Sequence, residues 1–409
     1  MQSMSSSLSE ATASSVRTLA PLDLLAAFAR VPDPRCRHGR RFPLAAILAL
    51  AVTALLANHL SVLAIAQWGK RQSPTVLTAL GFPDGVTPHQ TTLQRLFRKL
   101  DPLPLALVLT TCFAPTPAAE RPVRGSNGVA FDGKAQRGRL ACADQPEYPV
   151  HMLSAVLHDP GIVLAQLPLD HTGEKAEAEL VAAPTLVDCL DWAERVMTGD
   201  ALYCDRDLCT TIINADGDYL VIVKENQATL LRAIATLFAS RADAALAAAS
   251  LPPWDMREAI SVDKGHGRLE VRHLVASTAL NDYLDWPGLG QVLMIERTWW
   301  ERGERKTAVR YGITSLPAAV ASADRLLTLV RGHWQIENGL HYVKDVTMGE
   351  DRSLIHKGNG PSNLAILRDT VVSVLHRAGW RTIAERLRFY SGNAHAALAL
   401  LGIPIRENA

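Results

Sequence analysis

Apolar residues in the first part of the chain recur at helical spacing, so residues 21–113 are predicted to be all-helical. The strongest segment runs from Leu44 to Ala57 and is apolar except for Thr53. A helix that spans a membrane needs roughly 20 such residues, so we interpret this shorter run as a buried helix. Residues 1–20 are rich in Ser and Thr, lack the pattern of a signal peptide, and are predicted to form a disordered leader.

The segment TPHQTTLQRLFRKLD begins with the marks of a helix start. Thr87 suits the N-cap, Pro88 suits the first helical position, and Gln90 completes a capping box. The apolar residues that follow at helical spacing are Leu93, Leu96, Phe97 and Leu100. The basic residues that project elsewhere are Arg95, Arg98 and Lys99. This pattern is typical of the recognition helix in a helix-turn-helix-like DNA-binding domain, and also of an ordinary amphipathic surface helix.

Short apolar runs separated by turn residues predict an α/β domain after a linker at 114–127. The predicted elements are a strand at Gly128–Asp132, a hairpin of His151–Leu157 and Ile162–Leu169, a helix at Glu177–Arg195, a strand at Val196–Asp200, a helix at Asp205–Ala215 and a strand at Tyr219–Lys224. Three strands, a helix, a strand, a helix and a strand is the order of a ribonuclease-H-like core, which combines a mixed sheet with helices. We assign the first part of this core to residues 128–227.

A mostly β insertion is predicted at 228–322, before the chain becomes helical again. Its strand-like segments are Arg268–Ala276, Gln291–Trp300 and Thr307–Ser315. Residues 323–409 are predicted to hold a late helix and a helical tail, the tail being Pro361–Ala378 and Arg381–Leu401.

The late helix has a polar face and an apolar face. Glu337, His341 and Lys344 have the spacing of residues that share one side of an α-helix. The residues expected to face the core are Trp334, Leu340 and Val343.

Three acidic residues stand at the ends of these elements although they are far apart in the chain. Asp132 ends the first strand, Asp200 ends the fourth, and Glu337 lies on the late helix. Two carboxylates at strand ends and one on a helix can hold two divalent cations over a phosphodiester, and hard oxygen ligands suit Mg²⁺ or Mn²⁺. Local alternatives to Glu337 are Asp345, Glu350 and Asp351. Asp345 lies about 12 Å farther along the same helix, too far to serve the same metal pair easily.

Composition and charge fit two or three folded domains that act on an anionic partner. The chain has 409 residues, 48% of them hydrophobic, and a net charge of +1. Residues 1–130 contain 13 Lys and Arg against 6 Asp and Glu, whereas the remainder contains 29 against 35. A basic front and an acidic rear suit a DNA-contacting region ahead of a metal-binding domain, although chance clustering would give the same pattern. The 6 cysteines form no Cys-x-x-Cys pair, which argues against a zinc site and indicates a reduced cytoplasmic setting.

The stretch HWQIENGLHYVKDVTMGEDRS, followed by GNGPSNLAILRD, resembles the C-terminal signature of bacterial insertion-sequence transposases of the H-repeat-associated type. FDGKAQRG and TGDALYC match the other two catalytic blocks of that group. The resemblance covers most of the chain, from Leu22 to the last helix. It implies a DDE transposase with a ribonuclease-H-like core, whose catalytic and metal-binding triad is Asp132, Asp200 and Glu337.

Such a transposase binds the terminal inverted repeats of its element and catalyses two-metal strand cleavage and strand transfer. The resemblance implies two Mg²⁺ or Mn²⁺ ions per active site, double-stranded DNA as partner, and a homodimer on paired ends. It also implies a location in the bacterial cytoplasm with the nucleoid, and neither a membrane nor a small-molecule cofactor. Two alternatives stay open: a metal-dependent nuclease without strand transfer, and an inactive DNA-binding regulator.

The late helix departs from the wider transposase pattern, in which a Tyr, an Arg and a Lys accompany the catalytic Glu at fixed offsets. Lys344 matches the Lys position, but Val330 and His333 occupy the other two. Arg331 could replace the missing arginine as a DNA contact. A histidine at position 333 would make the phosphate contact depend on pH.

Further DNA contacts are predicted outside the triad. The segment RVPDPRCRHGRRF is a basic arm or a solvated loop, and its DNA-contacting candidates are Arg35, Arg37, Arg40 and Arg41. Candidates near the triad are Lys134, Arg137, His341, Lys224 and Asn226. Trp299 and Trp300 could stack on an unpaired base, which is worth about 1–3 kcal/mol, or serve as core and surface residues. His266 and Arg268 are either a DNA contact or a simple hairpin turn.

Overall fold

The computed structural model describes residues 22–113, 123–136, 150–169, 175–240, 255–265, 268–301 and 303–405. The predictions for the leader at 1–20, for Arg137 and for His266 lie outside this part of the chain, as does most of the predicted linker.

The described N-terminal region consists of helices. They are α1 Leu24–Ala29, α2 Leu44–Leu56, α3 Val62–Lys70, α4 Pro74–Ala79, α5 Gln90–Lys99 and α6 Pro102–Phe113. α2 is buried almost all round because its apolar residues leave no polar face. Together with the turn before it, the segment Arg37–Leu56 has the length and the mean hydropathy, 1.5, of a membrane span, but 67% of its most apolar window is buried inside the protein.

The predicted start of α5 was wrong. The helix begins at Gln90, and its N-cap is His89, not Thr87. The His89 backbone is extended, and its Nδ1 accepts the Thr91 N–H at 3.3 Å. The ring nitrogen therefore does what a Ser or Thr oxygen does at most N-caps.

Nine strands form one sheet among the described residues. They are β1 Asn127–Ala135, β2 His151–Leu157, β3 Val163–Leu169, β4 Arg195–Gly199, β5 Asp218–Val223, β6 Arg257–Gly265, β7 Arg268–Ser277, β8 Gln291–Glu301 and β9 Glu304–Thr314. Their order is β3-β2-β1-β4-β5-β9-β8-β7-β6. β6 was not predicted, because its alternation includes charged residues on the face that would normally be apolar.

The first five strands fit a ribonuclease-H-like core. β1, β2 and β3 are antiparallel neighbours, while β1, β4 and β5 run parallel. The remaining four strands are joined to this core where β9 pairs antiparallel with β5. The predicted insertion therefore continues the core sheet.

Helices cover both faces of this sheet, and strand alternation decides which face each residue occupies. Even-numbered positions of β5, such as Leu220, pack with helix α10 Ala323–His333, which also lies against β1, β4, β6 and β7. Odd-numbered positions, such as Val221, belong to the cluster on the opposite side. The helices near that side are α7 Lys175–Asp188, α8 Arg206–Asn214 and α9 Ala228–Ser240. α7 ends before the predicted Arg195, and the Trp192 indole donates to the Val187 carbonyl in the turn that follows.

The C-terminal helices share a core with the N-terminal ones. They are α11 Gly360–Arg377, α12 Ile383–Ser391 and α13 Ala394–Leu400. α11 packs on α2, α5, α6 and β3. The buried Asn363 side chain donates to the carbonyls of Phe97 at 2.9 Å and Leu100 at 2.8 Å, which satisfies the end of α5. The two ends of the chain thus form one helical layer beside the core strands.

Candidate active site

Asp132 lies on β1, and Asp200 directly follows the end of the neighbouring parallel strand β4. Ala130 of β1 pairs with Thr198 of β4, so the next positions on the same face are Asp132 and Asp200. Adjacent strands are about 4.8 Å apart, so both carboxylates project from one small area beside α10. Asp132 Oδ1 accepts the Gly133 N–H at 2.9 Å, and Asp200 Oδ1 accepts the Leu202 N–H at 2.9 Å. These bonds occupy one oxygen of each carboxylate.

Glu337 reaches this area from the helical segment that follows α10. Two π-helical turns, Ile336–His341 and Val343–Thr347, replace the regular α-helix predicted there. The Tyr342 N–H donates to the Glu337 carbonyl, five residues earlier. Such turns are rare and frequently occur at functional sites. The Glu337 side chain stays half exposed, at 51%.

His341 connects Glu337 with Asp132. Its Nδ1 lies 3.3 Å from Asp132 Oδ2 and 3.9 Å from Glu337 Oε2. Burial alone would lower the pKa of His341, but hydrogen bonds to Asp132 and Glu337 outweigh it and raise the pKa. The hydrogen bond from His341 in turn lowers the pKa of Glu337. One donor atom from each of the three residues lies within 4.8 Å of the others, a group that could hold a metal ion and does not include Asp200.

His333 lies where the wider transposase pattern has an arginine, and it is a neutral side chain near neutral pH. Burial lowers its pKa, although the charges of Asp132, Asp200 and Glu337 raise it. His333 Nδ1 is 3.3 Å from Thr198 Oγ1. A neutral imidazole bonded to a hydroxyl is a poor replacement for a phosphate-gripping guanidinium.

Lys344 is buried and does not share a face with Glu337. Only 1% of it is exposed, and its Nζ lies 2.9 Å from Asp369 Oδ1 and 3.5 Å from Glu350 Oε2. A π-helical turn takes more residues than an α-helical turn, so seven residues no longer return a side chain to the same side. Lys134 is also buried and donates to Asp345 at 2.7 Å. Their burial argues against the predicted phosphate contacts.

Two of the three local alternatives to Glu337, Asp345 and Glu350, are engaged elsewhere. Asp345 is bonded to Lys134, and buried Glu350 lies among Lys134, Lys344 and Arg368. These pairs neutralise carboxylates that would otherwise compete for a cation.

The other predicted DNA contacts are distributed over three surfaces. Exposed basic residues of the N-terminal helices and arm are Arg37, Arg40, Arg41, Arg95, Arg98 and Lys99. Arg35 is instead partly buried and bonded to Asp33 and the Phe42 carbonyl. Exposed Arg331 donates to Asp263 of β6 at 2.8 Å. Lys224 is exposed just after β5, whereas the Asn226 amide donates to the Ala201 carbonyl just after Asp200.

The two tryptophans of β8 face opposite sides of the sheet. The strand registers put Trp299 on the face of Asp132 and Asp200, where Arg297 covers its ring at 4.8 Å from the centroid. Trp300 is on the other face. Arg268 belongs to β7, at its pairing with Gly265.

Trp334 was predicted to face the core, and this was wrong. It is 43% exposed because the chain changes from α-helix to π-helix next to it, and Arg310 lies 5.6 Å from its ring centroid. No sequence signal indicated the Arg310 partner, which comes from a strand remote in sequence.

Comparisons with known proteins identify the family. Residues 124–375 match the family described as "Transposase DDE domain", and residues 25–112 match the one described as "DDE_Tnp_1-associated". "Putative transposase YncI" of Escherichia coli O157:H7 is 27% identical over 84% of this chain and 85% of its own length. "H repeat-associated putative transposase YhhI" of Escherichia coli K12 is 31% identical over 60% of this chain and 63% of its own.

A solved structure, the "Cryo-EM structure of piggyBac transposase synaptic complex with hairpin DNA", has a TM-score of 0.40 and 10% identity, over 92% of this chain and 78% of that one. That likeness carries no weight for the family assignment. The match of residues 124–375 to the Transposase DDE domain decides it. The chain belongs to the Transposase DDE domain family and is a DDE-type transposase of the H-repeat-associated group, as its motifs predicted.

Proposed function

We propose that this transposase binds the terminal inverted repeats of its element, cleaves the DNA there and joins the freed end to target DNA. Asp132, Asp200 and Glu337 are the catalytic carboxylates in this proposal. The observation that carries it is that Asp132 lies on β1 beside the parallel strand β4, which Asp200 directly follows, while Glu337 is linked to Asp132 through His341.

The donor set fits divalent cations. Carboxylate oxygens are the ligands that Mg²⁺ and Mn²⁺ prefer, and each of the two aspartates uses one oxygen in a backbone hydrogen bond. Asp132, Asp200 and Glu337 would hold these ions. Two bound ions would activate the attacking oxygen and stabilise the leaving oxygen of a phosphodiester.

The reaction then needs no covalent intermediate with the protein. Hydrolysis at the element end frees a 3′-hydroxyl, and that hydroxyl attacks the target strand in the same site. The protein residues hold the reacting groups in place through fixed strand ends and a helix packed across them. Such positioning supplies much of the rate enhancement in phosphoryl transfer.

DNA is proposed to run from the carboxylates toward exposed basic residues. Arg95, Arg98 and Lys99 of α5 are exposed, and so is Arg310 beside Trp334. Arginine suits phosphate geometry, and an exposed indole suits stacking on an unpaired base. A homodimer on paired element ends completes the proposal, since both ends must be held together.

The proposal is tested by cleavage of a labelled duplex that carries the element end. Wild type is compared with Asp200→Asn and Glu337→Gln in Mg²⁺, Mn²⁺ or EDTA, and Glu385→Gln is the control because Glu385 is an exposed carboxylate on α12 that pairs with Arg386. We expect metal-dependent cutting at the element boundary by wild type and Glu385→Gln, its loss in the other two variants, and binding by all four.

The other outcomes identify the alternatives. Cutting without joining to a target duplex would indicate a nuclease. Sequence-specific binding without cutting by any of the proteins would indicate a regulator. Full activity of Glu337→Gln would remove Glu337 from the triad.

A further inference from the structure

We propose that His341 is a direct nitrogen ligand of the ion held between Asp132 and Glu337, and that this ion position therefore prefers Mn²⁺ to Mg²⁺. The inference rests on the proposed metal-dependent function and names a ligand that the carboxylate triad does not contain.

The distances fit coordination of one ion. Mg²⁺ ligand distances and those from transition metals to imidazole nitrogen are about 2.0–2.2 Å, so two donors of one ion are at most about 4.4 Å apart. His341 Nδ1 is 3.3 Å from Asp132 Oδ2 and 3.9 Å from Glu337 Oε2, and all three donors lie within 4.8 Å. Small side-chain adjustments therefore suffice to bring the three donors onto one ion.

The surrounding structure fixes the imidazole for this role. His341 is 7% exposed and belongs to the π-helical turn that also carries Glu337. Its Nε2 is buried and has no hydrogen-bond partner among the described residues, so the contacts that orient the ring run through Nδ1. A buried ring nitrogen without a partner is unfavourable. The protein nevertheless holds the ring with Nδ1 against both carboxylates, as a ligand requires.

A nitrogen donor changes which cation is preferred. Imidazole binds first-row transition metals well, whereas Mg²⁺ favours oxygen donors and loses its water reluctantly. The ion next to Asp200 has no such donor in this proposal and would take either metal. We therefore expect the two positions to differ in selectivity.

Pulsed electron paramagnetic resonance of Mn²⁺ bound to the full-length protein tests the assignment directly. A nitrogen coordinated to Mn²⁺ couples to the electron spin, and ¹⁵N labelling of histidine alone changes that coupling. Wild type should show a histidine nitrogen coupling without any substitution, so the test does not depend on a variant folding. Because the readout is spectroscopic, catalytic activity is not needed.

Two histidine variants identify the ligand. His341→Gln should lose the coupling and bind Mn²⁺ at least about tenfold more weakly, since even ligand-supporting residues are worth about 10–100-fold in affinity. Its Mg²⁺ affinity, measured by competition, should change less. His333→Gln is the matched control, because His333 lies near the same carboxylates but is bonded to Thr198. It should keep the coupling.

The outcomes separate this inference from the proposed function. Mn²⁺ that binds wild type but not Asp132→Asn, and that shows no histidine coupling, would overturn the His341 assignment and leave the carboxylate site intact. A coupling that persists in His341→Gln would overturn it too. Failure of wild type to bind Mn²⁺ at all would overturn the metal site and the inference with it.

Discussion

Replacing Lys344 with methionine is predicted to destabilise the fold and to leave DNA binding by the folded protein unchanged. Lys344 belongs to a buried network of charges that connects the π-helical segment to α11. Its partners are Asp369 at 2.9 Å and Glu350 at 3.5 Å. Methionine fills nearly the same space, so the loss is mainly that of the charge.

The magnitude follows from the burial of both partners. Lys344 is 1% exposed and Asp369 is fully buried, so solvent does not screen the charge that remains. Removing one member of such a pair costs about 3–5 kcal/mol, whereas removing both is often close to neutral. Lys344→Met should therefore lose about 3–5 kcal/mol, and Lys344→Met combined with Asp369→Asn should recover most of it.

The loss should also depend on pH. Burial raises the pKa of Asp369 in spite of the attraction of Lys344, and without Lys344 the pKa rises further. The folded variant then binds a proton that the unfolded chain releases, so its stability rises as pH falls. The difference between the free energies of unfolding of Lys344→Met and wild type should be smaller at about pH 5 than at about pH 8.

Urea unfolding followed by circular dichroism and tryptophan fluorescence measures these free energies. A loss below about 1 kcal/mol would refute the argument, because it would mean that leaving the buried Asp369 charge without Lys344 is not unfavourable. A double variant no more stable than Lys344→Met would also refute it. If folded Lys344→Met bound DNA more weakly and with a shallower salt dependence, the sequence prediction of a phosphate contact would be restored.

Three further predictions follow from other contacts. A Cβ added at Gly332 would lie 2.1 Å from the His158 ring, so Gly332→Ala should lower the free energy of unfolding by about 1–3 kcal/mol. Gly392→Ala is the control and should not lower it, because a Cβ added at Gly392 would have no neighbouring atom within 4 Å. Burial lowers the pKa of His158 to about 3, so the folded state resists protonation of this ring. The free energy of unfolding should therefore fall as pH drops from about 6.5 toward 3, by about 1.4 kcal/mol per unit of pKa difference. A His158→Gln variant whose free energy of unfolding fell equally steeply with pH would contradict this. Trp299→Ala should weaken binding to an end with an unpaired base, and Trp300→Ala should not, since only Trp299 shares the face of the carboxylates; equal losses in a gel-shift titration would exclude the stacking role.

The carboxylate placement could be predicted from sequence because it depends on local patterns. Short apolar runs that end in an acidic residue identify strand ends, and parallel neighbours bring their carboxyl ends to one edge. Asp200 follows that rule because it comes directly after β4, whereas Asp132 lies within β1, which continues to Ala135, so the prediction that Asp132 ends its strand was wrong. The position of Lys344 could not be predicted in this way, because nothing in the local sequence indicates consecutive π-helical turns. The second of those turns contacts α12, and its Lys344 pairs with Asp369 of α11, so the partners come from distant parts of the chain.

Three of the four inserted strands could be recognised from sequence, but the position of all four relative to the core depends on one strand pairing. Because β9 pairs with β5, the face that carries Asp132 and Asp200 continues across β9, β8 and β7. Arg310 and Trp299 therefore lie on that face, and Arg331 ties α10 to Asp263 of β6. A detached insertion could have changed its orientation independently of the active site. A continuous sheet fixes these side chains relative to Asp132, so the proposed DNA path would follow the same sheet that carries one of the proposed catalytic carboxylates.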